Sequence, residues 1–209
     1  MFRRLYFLLL VFSCALVAQD LKPIQLPKPR TQGGKPLMQV LQARKSTREF
    51  SSEKLSLQTL SDLLWAADGI NRPDGRRTAP SAMNHQETDI YVVVAEGVYI
   101  YDAKENSLKP VIAGDQRAAA GDQNFVRTAP LNLVYVADFA RMGSSPEQEK
   151  VFYSAADAGF IAQNVYLYCA SEGLGAVVRG GINRDNFAKV ARLRPEQKVL
   201  LAQSVGYPR

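Results

Sequence analysis

The stretch YSAADAGFIAQNVYLYCAS, residues 153–171, decides how this chain is read. It predicts one long helix over Tyr153–Ser171. Ala155, Ala158, Gly159 and Ala162 are small enough for close backbone approach, whereas Phe160, Ile161, Val165 and Leu167 are bulky. A helix this apolar on several sides is buried, in the core or at a subunit interface. Gly173 and Gly175 end it.

Strand signals surround this helix. Runs rich in β-branched and aromatic residues predict strands over Ile90–Ala95, Val98–Tyr101, Leu131–Ala137 and Val199–Val205. Glu96-Gly97 joins the first two as a tight hairpin, and the last strand closes on Gly206-Tyr207-Pro208. Earlier in the chain, Leu57, Leu60, Leu63 and Leu64 share one face of a helix over Leu57–Ala67, with Ser56 as N-cap and Gly69 beyond its end. A shorter helix is expected over Leu37–Arg44. Residues 19–36 hold four prolines and a Gly33-Gly34 pair, which predicts an extended leader outside the core.

The first residues read as a targeting segment. Arg3 and Arg4 precede the apolar run Leu5–Phe12, which is too short to cross a bilayer and stay there. Ala15-Leu16-Val17-Ala18 offers small residues for cleavage, so residues 1–18 are expected to be a signal peptide and the protein to be periplasmic or secreted. Val11-Phe12-Ser13-Cys14 loosely matches a lipoprotein signal, although Phe12 fits poorly. Residues 2–8 faintly match a twin-arginine signal. Cleavage at Ala18 would leave Cys169 as the one cysteine, which rules out an internal disulfide and a cysteine metal cluster.

With 209 residues the chain suits one domain over 37–209, and 46% apolar with 22% charged residues argues against general disorder. The net charge of +6 falls to +4 without Arg3 and Arg4 and is spread along the chain, which suits anionic small ligands better than nucleic acid.

Three clusters carry candidate chemistry. Arg44-Lys45-Ser46-Thr47-Arg48 gathers cations and hydroxyls that suit a phosphate, because guanidinium groups pair with its oxygens. Pro80-Ser81-Ala82-Met83-Asn84 ends on an amide that donates and accepts, as the edge of a pyrimidine-like ring requires. Val177-Val178-Arg179-Gly180-Gly181 places glycines after a β-branched pair, where backbone amides can approach a flat ligand. Alone, each also reads as a solvated charge run or a turn.

Their order and separation resemble the FMN-dependent nitroreductase family over Leu37–Pro208. The first cluster stands for an R-R-S-x-R-like element and the second fits P-S-x-x-N. Asp157-Ala158-Gly159 with Gln163-Asn164 fits a D-A-G-x-x-x-Q-N helix, followed by Gly173-Leu174-Gly175 and Gly206-Tyr207-Pro208. The hairpin Gly97–Asp102, with Leu108 after it, is similar to the branch containing azoline-forming peptide dehydrogenases.

The resemblance implies an α+β fold, a mainly antiparallel sheet flanked by helices, in an obligate-type homodimer. It implies that Arg44, Ser46 and Arg48 hold the FMN phosphate and ribityl chain, with Lys45 near the pyrimidine edge. Pro80, Ser81 and Asn84 would come from the partner subunit, and Gly180 and Gly181 would lie against the ring. Many relatives continue past G-Y-P to further phosphate-binding basic residues, so here either Arg209 substitutes through its side chain or phosphate binding is weaker. No side chain is expected to act as nucleophile or acid-base, since the flavin carries the hydride chemistry.

The activity implied is two-electron reduction of a nitroaromatic, quinone or similar acceptor, with NAD(P)H as a possible donor. Flavin-dependent oxidation of an envelope substrate, or flavin binding without turnover, are the alternatives. His85 either tunes the flavin site or packs. Trp65 and Tyr207 read as core, and Cys169 as an inert buried thiol.

Overall fold

In the computed structural model the residues described are 21–209, so the expectations for residues 1–18 lie outside them. Seven strands form one sheet: β1 (Ile24–Gln25), β2 (Thr88–Val94), β3 (Gly97–Asp102), β4 (Ser107–Ala113), β5 (Leu131–Asp138), β6 (Gly175–Arg179) and β7 (Gln197–Gly206). Their order is β1-β4-β3-β2-β5-β7-β6, and every neighbouring pair is antiparallel. Four α-helices accompany them: α1 (Leu37–Ala43), α2 (Leu57–Asp68), α3 (Glu147–Glu172) and α4 (Arg184–Val190).

The apolar strand runs follow from coverage on both faces. On β2, Ile90 and Val92 pack with Leu63 and Leu64 of α2 and with Ile161 and Val165 of α3. The alternate residues Tyr91 and Val93 pack with Phe187 of α4, Ala120 and Val126 on the other face. Every residue of β5 is buried, as its central place requires. Ser56 caps α2 as expected, its hydroxyl accepting from the Thr59 amide at 3.0 Å.

Three expectations need correction. Residues 21–36 do not run free of the core: β1 pairs with β4, Leu26 is buried, and the Arg30 guanidinium and amide both bind the buried Asp62 carboxylate. The helix expected over Tyr153–Ser171 starts earlier, at Glu147. Its bulky residues divide: Ile161 and Val165 are buried, whereas Phe160 is 47% exposed. Finally, β4, β6 and α4 are elements that the sequence patterns did not announce.

Candidate functional site

The segment after α1 lies along the outer edge of β6. The Thr47 amide donates to the Ala176 carbonyl at 2.9 Å, and Ser46 bridges Ala176 in the parallel sense. Further along, Phe50 bridges Pro208, the Ser51 amide donates to the Tyr207 carbonyl, and the Arg209 amide donates to the Glu49 carbonyl. These bonds bring Arg44, Lys45, Ser46 and Arg48 beside β6 and place Arg209 next to the same segment. None of Arg44, Lys45, Arg48 and Arg209 has a carboxylate partner among the described residues.

Tyr166 of α3, which sequence reasoning passed over, organises this edge. Its hydroxyl accepts from the Val178 amide at 2.8 Å and lies 2.9 Å from Ser46 Oγ. With its oxygen accepting from Val178, the phenol hydrogen can go to Ser46, which frees the serine hydrogen for a ligand oxygen. Arg44 stacks over the same ring, 5.3 Å from its centroid. A cavity of about 200 Å³ opens here, lined by Lys45, Thr47, Tyr166, Ala176 and Pro208 among others.

β6 ends at Gly180 and Gly181. Gly180 is exposed, and a Cβ built there meets no atom within 4 Å. Its φ lies outside the left-handed region, so neither backbone conformation nor packing within the chain calls for glycine. A flat ligand seated against the backbone would need that open space. Cations for a phosphate and open backbone at Gly180 for a flat ring are features that the expected FMN would use, so the residues present are compatible with it.

The Pro80–Asn84 element lies elsewhere. Ala82 donates its amide to Asp157 Oδ2 at 2.9 Å, and Ser81 Oγ accepts from the Gln86 amide at 2.8 Å. Met83, Asn84 and Gln86 have φ of 50°, 55° and 48°, left-handed values that cost a methionine more than an asparagine. Pro80 and Asn84 are exposed, and Ser81 is half-buried. Asp157 and Tyr166 anchor the two clusters on α3 about 13 Å apart, at 1.5 Å rise per residue. Along α3 the Pro80–Asn84 element is thus set apart from Ser46.

The ground under this loop is acidic and buried. Burial raises the Asp157 carboxyl to about 6, with Glu87 beside it adding to the shift while the Ala82 amide opposes it. Glu87 Oε2 and His85 Nε2 are buried without a hydrogen-bond partner. Burial raises Asp68 to about 7 despite the nearby Arg77. Asp157 was legible as part of the D-A-G pattern, but its tie to Ala82 was not.

Trp65 is half-buried, its indole donating to the Ile70 carbonyl, and Tyr207 packs on the main core. Cys169 is buried, which pushes its thiol pKa up and keeps it inert. No helix among the described residues is long and apolar enough to cross a membrane.

Comparison with known proteins gives the context. The profile of the Nitroreductase family matches residues 41–207. A protein of Methanocaldococcus jannaschii that carries the nitroreductase name is 33% identical over 180 residues, covering 81% of this chain and 90% of that one. A crystal structure of a protein of that name from Ralstonia eutropha JMP134 superposes with a TM-score of 0.87 at 45% identity, covering 92% of each chain. The E. coli microcin synthetase McbBCD complex, with truncated pro-MccB17 bound, shares the fold at a TM-score of 0.70 and 22% identity, covering 79% of this chain and 70% of that one.

Proposed function

The chain belongs to the nitroreductase family of oxidoreductases, and on that premise we propose an FMN-dependent homodimer that reduces a nitroaromatic, quinone or similar acceptor. When bound, FMN supplies two-electron transfer, taken from a donor such as NAD(P)H and passed to the acceptor. The chain's own residues bind and orient it. Arg44, Arg48 and Arg209 offer guanidinium donors to the phosphate, Ser46 offers the hydrogen that Tyr166 frees, and Lys45 stands at the cavity beside them. Gly180 leaves the ring face open to the backbone, whereas a Cβ on Gly181 would meet the Gln123 side chain at 2.9 Å.

The observation that carries this reading is the group of cations, without carboxylate partners among the described residues, at the start of β6, the strand that is followed by an open glycine. The second subunit is part of this proposal: Pro80, Ser81 and Asn84 stand about 13 Å along α3 from the Ser46 cluster, and in the proposed dimer they would meet the ligand from another copy. Its docking face is at hand: α1 exposes Leu37, Met38 and Leu41, and α3 exposes Val151, Phe152 and Phe160. Gly159 sits on that face, where a Cβ would meet nothing. A glycine inside a helix costs about 1 kcal/mol relative to alanine, and close approach of a second helix would justify it.

An exported location, suggested by the N-terminal reading, belongs to the proposal and leaves the donor a central question. The test is direct. The purified protein should be yellow and release FMN, not FAD, on heating. Anaerobic NADH or NADPH should bleach it, and an added quinone or nitroaromatic should restore the colour. A colourless protein that takes up no added FMN would refute the reading. Bleaching only by a non-nicotinamide reductant would point to oxidation of another substrate.

A further inference from the structure

Arg179 is the last residue of β6, immediately before the glycines assigned to the flavin ring. Its side chain points into the sheet's interior layer, and the residue is only 5% exposed. Nη1 donates to the Ala120 carbonyl at 2.9 Å, and Nη2 donates to Asn132 Oδ1 and Ser204 Oγ, both at 3.2 Å. All three acceptors are neutral, and Nε is buried with no partner at all. The guanidinium also lies over the Phe125 ring, 5.9 Å from its centroid.

A buried charge without a counter-ion is costly, and neutral acceptors offset only part of its lost hydration. Burial lowers its pKa to about 10, with Asp122 opposing the shift, so it is still charged at neutral pH. Packing alone would be served by an apolar side chain of similar size. The charge is also close to the ring-binding loop. A Cβ on Gly121 would stand 1.9 Å from Arg179 Nη1 and 3.1 Å from the Gly181 carbonyl, so those two atoms are at most about 5 Å apart. The Asp122 amide donates to that carbonyl at 3.3 Å, which ties the loop over Arg179 to the loop over the flavin position.

We propose that Arg179 is an electrostatic positioning residue that favours the reduced cofactor, acting through the Gly180-Gly181 turn without touching the ring. Two electrons and one proton taken up by FMN leave it one unit more negative. A fixed cation in a dry layer nearby stabilises that state selectively, because little water is present to screen it. This rests on the flavin assignment above and adds a role for a residue outside the phosphate and ring contacts.

The test is spectroelectrochemical titration of the FMN-loaded protein at pH 7, comparing wild type with Arg179→Met, Arg179→Lys and Asp122→Asn. We expect Arg179→Met to shift the reduction equilibrium at least about tenfold against the reduced form, close to 30 mV more negative for a two-electron couple. Arg179→Lys should keep most of the wild-type potential. Asp122→Asn, at an exposed position, should shift it the other way. Opposite signs for the two neutralisations are an electrostatic signature that loosened packing would not produce. Equal potentials for wild type and Arg179→Met overturn the inference while leaving FMN binding intact. Should Arg179→Met fail to fold or hold FMN, Asp122→Asn decides: an unchanged or more negative potential overturns it. A wild type that binds no FMN overturns this inference and the cofactor assignment together.

Discussion

Replacing Tyr166 with phenylalanine isolates one hydroxyl at the centre of the candidate site. The ring remains, so Arg44 keeps its stacking partner, and only the bonds to the Val178 amide and Ser46 Oγ are lost. Ser46 is exposed and regains water, so its loss costs little stability. The Val178 amide is different: it lies on the edge strand at a half-buried position, where water replaces the lost acceptor less readily than at an exposed one. Stranding such a donor costs about 1–3 kcal/mol, and we take about 1–2 because Val178 is not fully enclosed. For a chain of this size that is a fall in melting temperature of about 2–8 °C in the cofactor-free protein. FMN affinity should fall as well, since the Ser46 hydrogen is no longer directed outward. Combining Tyr166→Phe with Ser46→Ala then has a clear expectation: the double variant should bind FMN little worse than either single one. Thermal unfolding and fluorescence titration read both effects. A melting temperature unchanged within about 1 °C, or fully additive losses of affinity, would refute the reasoning.

Three further outcomes are expected. Arg44→Ala should weaken FMN binding at least about tenfold more than Arg209→Ala, roughly 1.4 kcal/mol, because the Arg44 guanidinium is held over the Tyr166 ring whereas Arg209 is tied through its backbone amide to the Glu49 carbonyl; equal losses on titration would contradict that ranking. Phe160→Glu, on the exposed face of α3, should convert the proposed dimer to monomer in sedimentation and weaken FMN binding at the same time; a monomer that binds FMN normally would contradict the proposed shared site. Asp157 has a folded pKa raised to about 6, so the native state binds its proton more tightly than the unfolded chain. Its contribution to stability is therefore present below about pH 4 and lost as pH rises through about 6. Asp157→Asn should flatten the urea stability profile across that window, and an unchanged slope would discount the shift.

The antiparallel framework was legible wherever a strand is covered on both faces. Ile90–Val94 and Leu131–Ala137 could not be mistaken, because burial on two sides demands unbroken β-branched and aromatic residues. β4 escaped because Lys109 and Pro110 interrupt its pattern; Pro110 is tolerated opposite Tyr99, beside the register shift between Val98 and Tyr99. β6 is five residues between glycines and reads locally as a turn; its pairing with β7 makes it a strand. The basic cluster Arg44–Arg48 and Gly180-Gly181 stood out through residue type, and the fold sets the first beside the start of β6 and the second just past its end. Tyr166 and Arg179 did not stand out. A tyrosine in an apolar helix looks like packing, and an arginine in a chain is ordinarily expected at the surface.

The strap made by residues 24–30 bears on where this domain can be cut. The family match begins at residue 41, and a shortened version starting there would seem complete. Such a version would uncover the backbone of β4, which β1 now pairs with, and leave an open edge able to recruit strands from other molecules. It would also leave the Asp62 carboxylate, now gripped by Arg30, without its cation. The family profile alone would set the boundary some seventeen residues too late (about 41 against 24), and the resulting protein would be prone to aggregate for reasons unconnected with its chemistry.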